Sequence, residues 1–319
     1  MEDLWILYSI SFKEDMPNSA TRMLDEAIKN GINAKLMFYD LFQEKDNKIY
    51  YDSKEISDLP KLVLLRGNDI NVCEIFEKRG IKIINSSYTI INCCDKLKTH
   101  NIANNLGINQ IKTIHSNIIK YDEIVDNLGL PFILKYRFGK QGNNIYVINN
   151  EKEYNDILKT INLDEYIIQE FIKTSYGKDV RVFIVGDKVI GACERKNESG
   201  FMSNLAQGGL SYHFELNDKI KEQSLRLSKE LKGDIISVDY IFGDNNKLLF
   251  CEANTNPGFA SFNYLGYPMR KIFMDYIKEL LRYIWFDCIF FLIYLHFYID
   301  NIKLNYKQII KNLINVEGI

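Results

Sequence analysis

The sequence lacks an excess of either charge, with 40 Lys and Arg residues against 42 Asp and Glu and a formal net charge of −2. Proteins dedicated to nucleic-acid binding usually carry a basic excess, so this balance argues against that class. The first ten residues, MEDLWILYSI, contain two acids and no basic segment, and they predict a β-strand and not a signal peptide. A length of 319 residues suits two compact units or three small ones.

The chain also has little that would support thiol or zinc chemistry. Its six cysteines include no C-x-x-C pair, and none lies beside a histidine at zinc-ligand spacing. The adjacent Cys93 and Cys94 are poorly placed to pair, so we expect reduced thiols and a cytoplasmic protein. Neither a G-x-G-x-x-G turn nor the Gly-Lys-Ser/Thr of a P-loop is present.

Strand and helix patterns alternate in the first third of the chain. Short apolar runs predict four strands, at 4–10, 34–39, 61–65 and 81–84. Helices are predicted after Asn18-Ser19, over 72–79, and as one long helix over Ser87–Leu106. These elements favour a parallel α/β unit. Hairpin patterns with interspersed helices follow, and they predict α+β construction for the rest of the chain.

Two acidic residues and an amide occur in a predicted hairpin near residue 250. If the hairpin closes on a two-residue loop at Asn245-Asn246, Asp239 lies opposite Glu252. Side chains alternate between faces, so Asn254 shares the face of Glu252. Two carboxylates inside an apolar hairpin repel each other, and oxygen ligands of this kind suit Mg²⁺, which would remove that cost. The alternative is a polar, solvated strand face.

Glycine and lysine residues that suit a phosphate group precede this hairpin. The glycines of the loop Gly139–Asn144 would let backbone amides approach an anion. Lys135 lies in the strand before the loop and needs a partner, which phosphate would supply, and Lys96 lies in the preceding helix. An ordinary hairpin loop and exposed lysines are the alternative.

Further polar residues stand near the ends of two later strands. Glu170 follows Gln169 at a strand end, where backbone groups could read an adenine edge. Asp179 and Arg181 share one face of the next strand, and Arg195 ends its partner strand. A satisfied network of ion pairs is the alternative for these residues.

In order and spacing, these segments resemble those of the ATP-grasp superfamily, specifically the RimK-type, alpha-L-glutamate ligase-like carboxylate–amine ligases. The resemblance runs from about Leu4 to Ile277. It rests on Asp95-Lys96-Leu97, Lys135, Gln169–Ile172, Asp179-Val180-Arg181, Glu194-Arg195-Lys196, Ser203-Asn204-Leu205, Gly208-Gly209, Val238-Asp239 and Glu252–Gly258. Each motif is weak alone, whereas the ordered set is specific.

The resemblance implies an α/β N-terminal domain over 1–94 and an α+β ATP-grasp domain over 95–279, whose two subdomains clasp ATP. It implies that Arg195 stabilises an acyl phosphate and a tetrahedral intermediate. It implies that Asp239, Glu252 and Asn254 hold two Mg²⁺ ions, with Mn²⁺ as an alternative. The nucleotide-binding residues that it implies are Lys96, Lys135, Gln141, Gly142, Glu170, Phe171, Asp179, Ser203 and Asn204.

Three positions depart from the family pattern. Met202 and Gln207 stand where many RimK-like members carry arginine, and Asn144 replaces a third glycine of the loop. A cationic contact to phosphate is therefore missing. These changes bear on the acceptor site and the rate more than on ATP binding.

The reaction implied by the resemblance is ADP-forming ligation of a carboxylate to an amine, such as addition of glutamate to a peptide, a protein or a small molecule. The chemistry needs no nucleophilic side chain, and the sequence shows no Ser–His or Cys–His constellation. The alternative is an ATP-binding protein of the same fold without turnover, acting as a regulatory or binding module. Intact Asp239, Glu252, Asn254 and Arg195 argue against it.

The C-terminal tail, 280–319, lies outside the ligase pattern. Residues 283–299 are apolar except for Asp287 and His296, which is slightly short of the about 20 apolar residues that span a bilayer. Three interpretations remain open: a helix packed on the enzyme or on a second copy, an interfacial membrane anchor, and a spanning helix. In the second and third of these interpretations, a cytoplasmic protein would contact a membrane through residues 283–299.

Overall fold

The computed structural model describes residues 2–14, 16–139, 144–197 and 210–284 of the chain. These ranges contain an N-terminal unit with a parallel sheet, a lobe with a four-stranded sheet, and a five-stranded antiparallel sheet. The fold class expected from the sequence, an α/β unit followed by α+β construction, is confirmed.

The N-terminal unit alternates strands and helices as the sequence predicts. Its strands are β1 Leu4–Tyr8, β2 Ala34–Phe38, β3 Phe42–Lys45, β4 Lys48–Tyr51, β5 Lys54–Ile56, β6 Leu62–Leu65 and β7 Lys82–Ile84. Its helices are α1 Ser19–Lys29 and α2 Ile70–Glu77. The parallel sheet has the order β2-β1-β6-β7, and every residue of β1 is buried because both faces of the sheet are covered. Helix α1 begins where predicted, with the Asn18 side chain accepting from the Ala20 amide.

A small antiparallel sheet of β3, β4 and β5 was not predicted from the sequence. Its two turns, Asp46-Asn47 and Asp52-Ser53, place both central residues at positive φ, between 48° and 65°. Tight hairpin turns require this geometry, and Asn and Asp tolerate it better than most residues. The two dipeptides were therefore a usable signal for the hairpins.

The long helix predicted over Ser87–Leu106 is wrong, because the chain forms two helices, α3 Ser87–Cys94 and α4 Lys96–Asn105. Asp95 separates them in an extended conformation, with φ −94° and ψ 102°. Its carboxylate accepts from the amides of Leu97 and Lys98 and so caps the second helix. The break fixes the direction in which α4 leaves the N-terminal unit.

The remaining chain forms a small lobe and a central sheet. The lobe contains β8 Thr113–Ile114, α5 Tyr121–Leu128, β9 Phe132–Tyr136, β10 Ile145–Ile148, α6 Glu151–Leu158 and β11 Tyr166–Glu170, with the strand order β10-β9-β11-β8. The central sheet contains β12 Lys178–Val185, β13 Lys188–Lys196, β14 Leu210–His213, β15 Ile235–Phe242 and β16 Leu248–Asn254, in the order β14-β13-β12-β15-β16. Three helices accompany this sheet, α7 Asp218–Glu230, α8 Ala260–Tyr264 and a helix over 269–284 (α9).

Each face of the central sheet packs into a buried apolar cluster. On one face, Val182 packs with Leu227 of α7. On the other, Phe183 belongs to the same buried cluster as Leu4 of β1 and Phe273 of α9. The N-terminal unit and the central sheet therefore share a core, which brings the ends of β6 and β7 against the segment that follows β16.

No helix in the ranges listed above is both long enough and apolar enough to cross a membrane. The apolar tail beyond residue 284 lies outside the described residues, so the three interpretations of 283–299 stay predictions.

Candidate nucleotide and metal site

The carboxylate pair forms as predicted, although the turn differs from the expectation. The β15–β16 connection is five residues long, Gly243–Lys247, and not a two-residue loop. With this longer turn Tyr240 pairs with Phe250, and an unbroken ladder would then place Cys251 opposite Asp239. A bulge at Cys251 adds one residue to β16, so that Asp239 pairs with Glu252 as predicted. Asn254 Nδ2 lies 3.4 Å from Asp239 Oδ2 and 3.3 Å from Glu252 Oε1. Two carboxylates and one amide thus converge where the middle of β15 faces the end of β16.

Arginines from the neighbouring strands neutralise Asp239. Arg181 donates to both oxygens of Asp239, at 2.8 and 2.6 Å, and Arg195 Nη2 donates to Oδ2 at 3.1 Å. Arg195 also donates from Nε to Asp179 Oδ1 at 2.7 Å. Burial alone would lower the pKa of Arg195, but attraction by Asp239 and Asp179 outweighs it and raises the pKa.

This network revises the argument that a divalent cation is needed to relieve two facing carboxylates, because protein cations already do so. It also shows that Asp179, expected at the nucleotide, pairs with Arg195 in this structure. Arg181 was not among the predicted site residues. Its position directly opposite Asp239 in the ladder makes it the main partner of that carboxylate.

Two lysines from outside the central sheet approach Glu252. Lys135 Nζ of β9 lies 3.6 Å from Glu252 Oε2 and 3.7 Å from Cys251 Sγ. The Lys96 ammonium donates to the Gly139 carbonyl. Burial and the nearby Lys135 lower the pKa of Lys96, which Glu252 opposes. Burial would raise the pKa of Glu252, but Lys135, Lys96 and Arg181 together hold it below its ordinary value.

Lys96 is held in place by the break between α3 and α4. Arg137, just beyond β9, donates to Asp95 at 3.1 Å from Nε and 2.6 Å from Nη2. The Lys96 amide donates to the Arg137 carbonyl at 3.1 Å. The ion pair thus ties the first turn of α4 to the lobe, and Arg137 is a positioning residue that the sequence did not reveal.

The adenine-side prediction concerns the end of β11. Glu170 Oε1 accepts from the Lys112 amide at 2.8 Å, and the Glu170 amide donates to the Lys112 carbonyl at 3.1 Å. Glu170 therefore lies at the connection into β8, and Phe171 follows it. Four predicted nucleotide-binding residues, Gln141, Gly142, Ser203 and Asn204, lie outside the described residues.

A buried polar network begins at Gln169, next to Glu170, and it was not predicted from the sequence. Gln169 Nε2 donates to His100 Nε2 at 2.9 Å and to Thr113 Oγ1 at 2.9 Å, and His100 Nδ1 donates to Gln110 Oε1 at 2.7 Å. His100 must be neutral, because a proton on Nε2 would face the Gln169 amide donor. Burial is the main cause that lowers the pKa of His100 to about 4.

The fold and this arrangement of charges define an ATP-grasp protein. The ATP-grasp ligase PsnB, in a complex with a phosphomimetic variant of its minimal precursor, Mg and ADP, matches with a TM-score of 0.66 and 16% identity over 88% of this chain and 98% of that chain. At this identity the likeness shows the fold alone. A family model of the RimK-like ATP-grasp domain matches residues 93–277, more than half of the sequence. The chain belongs to the RimK-like ATP-grasp family.

Curated relatives share this domain. N-acetylaspartylglutamate synthase A of Homo sapiens is 29% identical over 245 residues, which cover 72% of this chain and 63% of the relative. Beta-citrylglutamate synthase B of Mus musculus is 29% identical over 241 residues, covering 71% of this chain and 62% of the relative. The chain therefore spans less than two thirds of the length of these two proteins.

Proposed function

We propose that the chain is an ADP-forming ligase that joins a carboxylate to an amine through an acyl phosphate. The observation that carries this proposal is the position of Lys135 beside Glu252 of the carboxylate pair, with the charge of Lys96 also acting on Glu252. Family membership supports it. The chemistry needs positioning and charge neutralisation more than a nucleophile, and the site supplies charges of both signs.

Each charged group has a role in this reaction. A free carboxylate is a poor acyl donor, and transfer of the γ-phosphoryl group of ATP to its oxygen releases ADP and gives phosphate as a leaving group. Lys96 and Lys135 would hold the transferring phosphates. Arg195, fixed by Asp179 and Asp239, would stabilise the oxyanion when the amine attacks the acyl carbon and phosphate departs.

The donor set formed by the middle of β15 and the end of β16 suits Mg²⁺. Asp239 and Glu252 contribute carboxylates and Asn254 an amide, which are hard oxygen donors of the kind that Mg²⁺ prefers. When bound, Mg²⁺ neutralises phosphate charge during transfer. Arg181 and Lys135 keep these side chains together by pairing with their carboxylates.

Glutamate is the amine substrate that the relatives favour, because N-acetylaspartylglutamate and beta-citrylglutamate both contain it. The acid substrate would then be a small carboxylate, or the carboxylate of a peptide or protein.

The products test the proposal. Incubation with ATP, Mg²⁺, glutamate and a panel of carboxylates is expected to give ADP and phosphate in equal amounts, together with an amide product detected by mass spectrometry. Stoichiometric AMP and pyrophosphate would indicate adenylation and overturn the mechanism. Nucleotide binding without ADP release on any panel member would favour the non-catalytic alternative.

A further inference from the structure

A second polar edge adjoins the candidate site, at the carboxyl ends of the parallel strands. Arg66 directly follows β6, and its Nη2 donates to the Pro257 carbonyl at 3.1 Å. Asn68 accepts from Thr255 Oγ1 at 2.9 Å, and Asn85 donates to the Thr255 carbonyl at 2.7 Å. The segment that follows Asn254 is therefore clamped against this edge. In open α/β sheets, ligands bind outside the carboxyl ends of the strands.

Two guanidinium groups at this edge contact the same aromatic ring. The Arg66 Cζ lies 5.5 Å and the Arg270 Cζ 5.3 Å from the centre of the Phe259 ring. Within the described part of the chain, neither arginine forms an ion pair with a carboxylate, unlike Arg137, Arg181 and Arg195. Ring contacts alone are weak compensation for a partly desolvated charge.

Polar atoms here are left without partners. The buried Nε atoms of Arg66 and Arg270 donate no hydrogen bond to the described residues, and the buried Oδ1 of Asn256 accepts none from them. Buried polar groups in folded proteins nearly always have partners, so these three atoms need a partner that water or a ligand would supply. Burial lowers the pKa of Arg66, and the nearby Tyr8 side chain, which hydrogen-bonds to Arg66, opposes this in part. The edge therefore offers two cationic donors and a neutral acceptor.

We propose that Arg66 and Arg270 bind a carboxylate of a substrate, distinct from the carboxylate that is phosphorylated. This inference rests on the proposed function. The reacting carboxylate must stand near Asp239 and Glu252, whereas Arg66 contacts the chain three residues beyond Asn254. Guanidinium groups suit the two oxygens of a carboxylate, and Asn256 would accept from a neighbouring N–H or O–H of the same ligand. The ligand is either a di- or tricarboxylic acid substrate or an amino acid that serves as the amine.

Binding of defined probes to the full chain with saturating ADP and Mg²⁺ tests the inference. L-glutamate represents the amino-acid source and citrate the polycarboxylate source, with propionate as the single-carboxylate comparison. Arg66→Gln and Arg270→Gln are each expected to weaken glutamate or citrate binding roughly tenfold or more, because a charged hydrogen-bond partner is lost. Arg66→Lys should retain part of the affinity, since the charge stays and the planar fork is lost.

Arg226→Gln is the matched control, because Arg226 is exposed on α7 and donates to the Leu106 carbonyl. It should leave probe and ADP affinity unchanged. Retention of glutamate and citrate affinity in both Arg66→Gln and Arg270→Gln, or failure of the unmodified chain to bind either probe more tightly than propionate, would overturn the inference. ADP-forming turnover, measured on the same samples, reports separately on the proposed function. If Arg66→Gln does not fold, Arg270→Gln and Arg66→Lys decide the result.

Discussion

The buried His100 is expected to make the stability of the protein depend on pH. Its imidazole donates to Gln110 and accepts from Gln169, an arrangement that only the neutral ring can satisfy. In the unfolded chain the ring binds a proton below its ordinary pKa of 6.5, whereas the folded protein excludes that proton until about pH 4. The unfolded state therefore binds more protons in this window, and stability falls as the pH is lowered through it.

The size of the effect follows from the two pKa values. Between about pH 7 and about pH 5, His100 alone should remove about 2 kcal/mol from the free energy of unfolding. Urea denaturation, followed by circular dichroism at both pH values, measures the change. His100→Gln removes the titrating group, so its loss of stability over the same interval should be smaller by about 2 kcal/mol.

His213→Gln is the matched control for this measurement. His213 is exposed on β14, so its replacement should leave the pH dependence as in the unmodified chain. An equal pH dependence in His100→Gln and the unmodified protein would refute the assignment of the proton to His100.

Two further predictions concern the metal residues and the tail. Asp239→Asn or Glu252→Gln should abolish ADP production in a folded protein, because each removes a charge from the donor set. The control variant Glu230→Gln, at the exposed end of α7, should retain activity. Near-normal turnover of the double variant Asp239→Asn/Glu252→Gln would refute the metal assignment. Deletion of residues 285–319 should leave affinity for ADP and Mg²⁺ unchanged in equilibrium titrations, because Lys96, Lys135 and Glu252 converge without them. Lost affinity in a folded truncation would make the tail part of the nucleotide site.

Sequence patterns predicted helices and strands well where interactions within the segment itself determine its structure. Strand period and helix capping placed β1, α1 and β15 close to their observed bounds. The break at Asp95 has a local cause, its cap on the amides of Leu97 and Lys98, and a distant one, a partly buried ion pair with Arg137, 42 residues later. A partner that distant leaves no trace in the periodicity of the helix itself.

The site shows the same division between local and long-range causes. Alternation along β15 and β16 was enough to bring Asp239 and Glu252 together, although the bulge at Cys251 had to offset a longer turn. The partners of these carboxylates, Arg181 and Lys135, come from strands whose pairing depends on the whole fold. The arginine pair at Phe259 joins β6 to α9 and was therefore not visible from the order of the motifs.

The core shared by the parallel sheet and the central sheet has a consequence for biosynthesis. Leu4, Leu62 and Ile84 are buried in one cluster with Phe183 and Ile277. Helix α1 covers part of that apolar face, and the rest has no cover when the first unit leaves the ribosome. At about 5–20 residues per second, the interval from Ile84 to Ile277 lasts roughly 10–40 s. During that time part of this apolar surface stays exposed, and its cover is complete only when α9 has been synthesised.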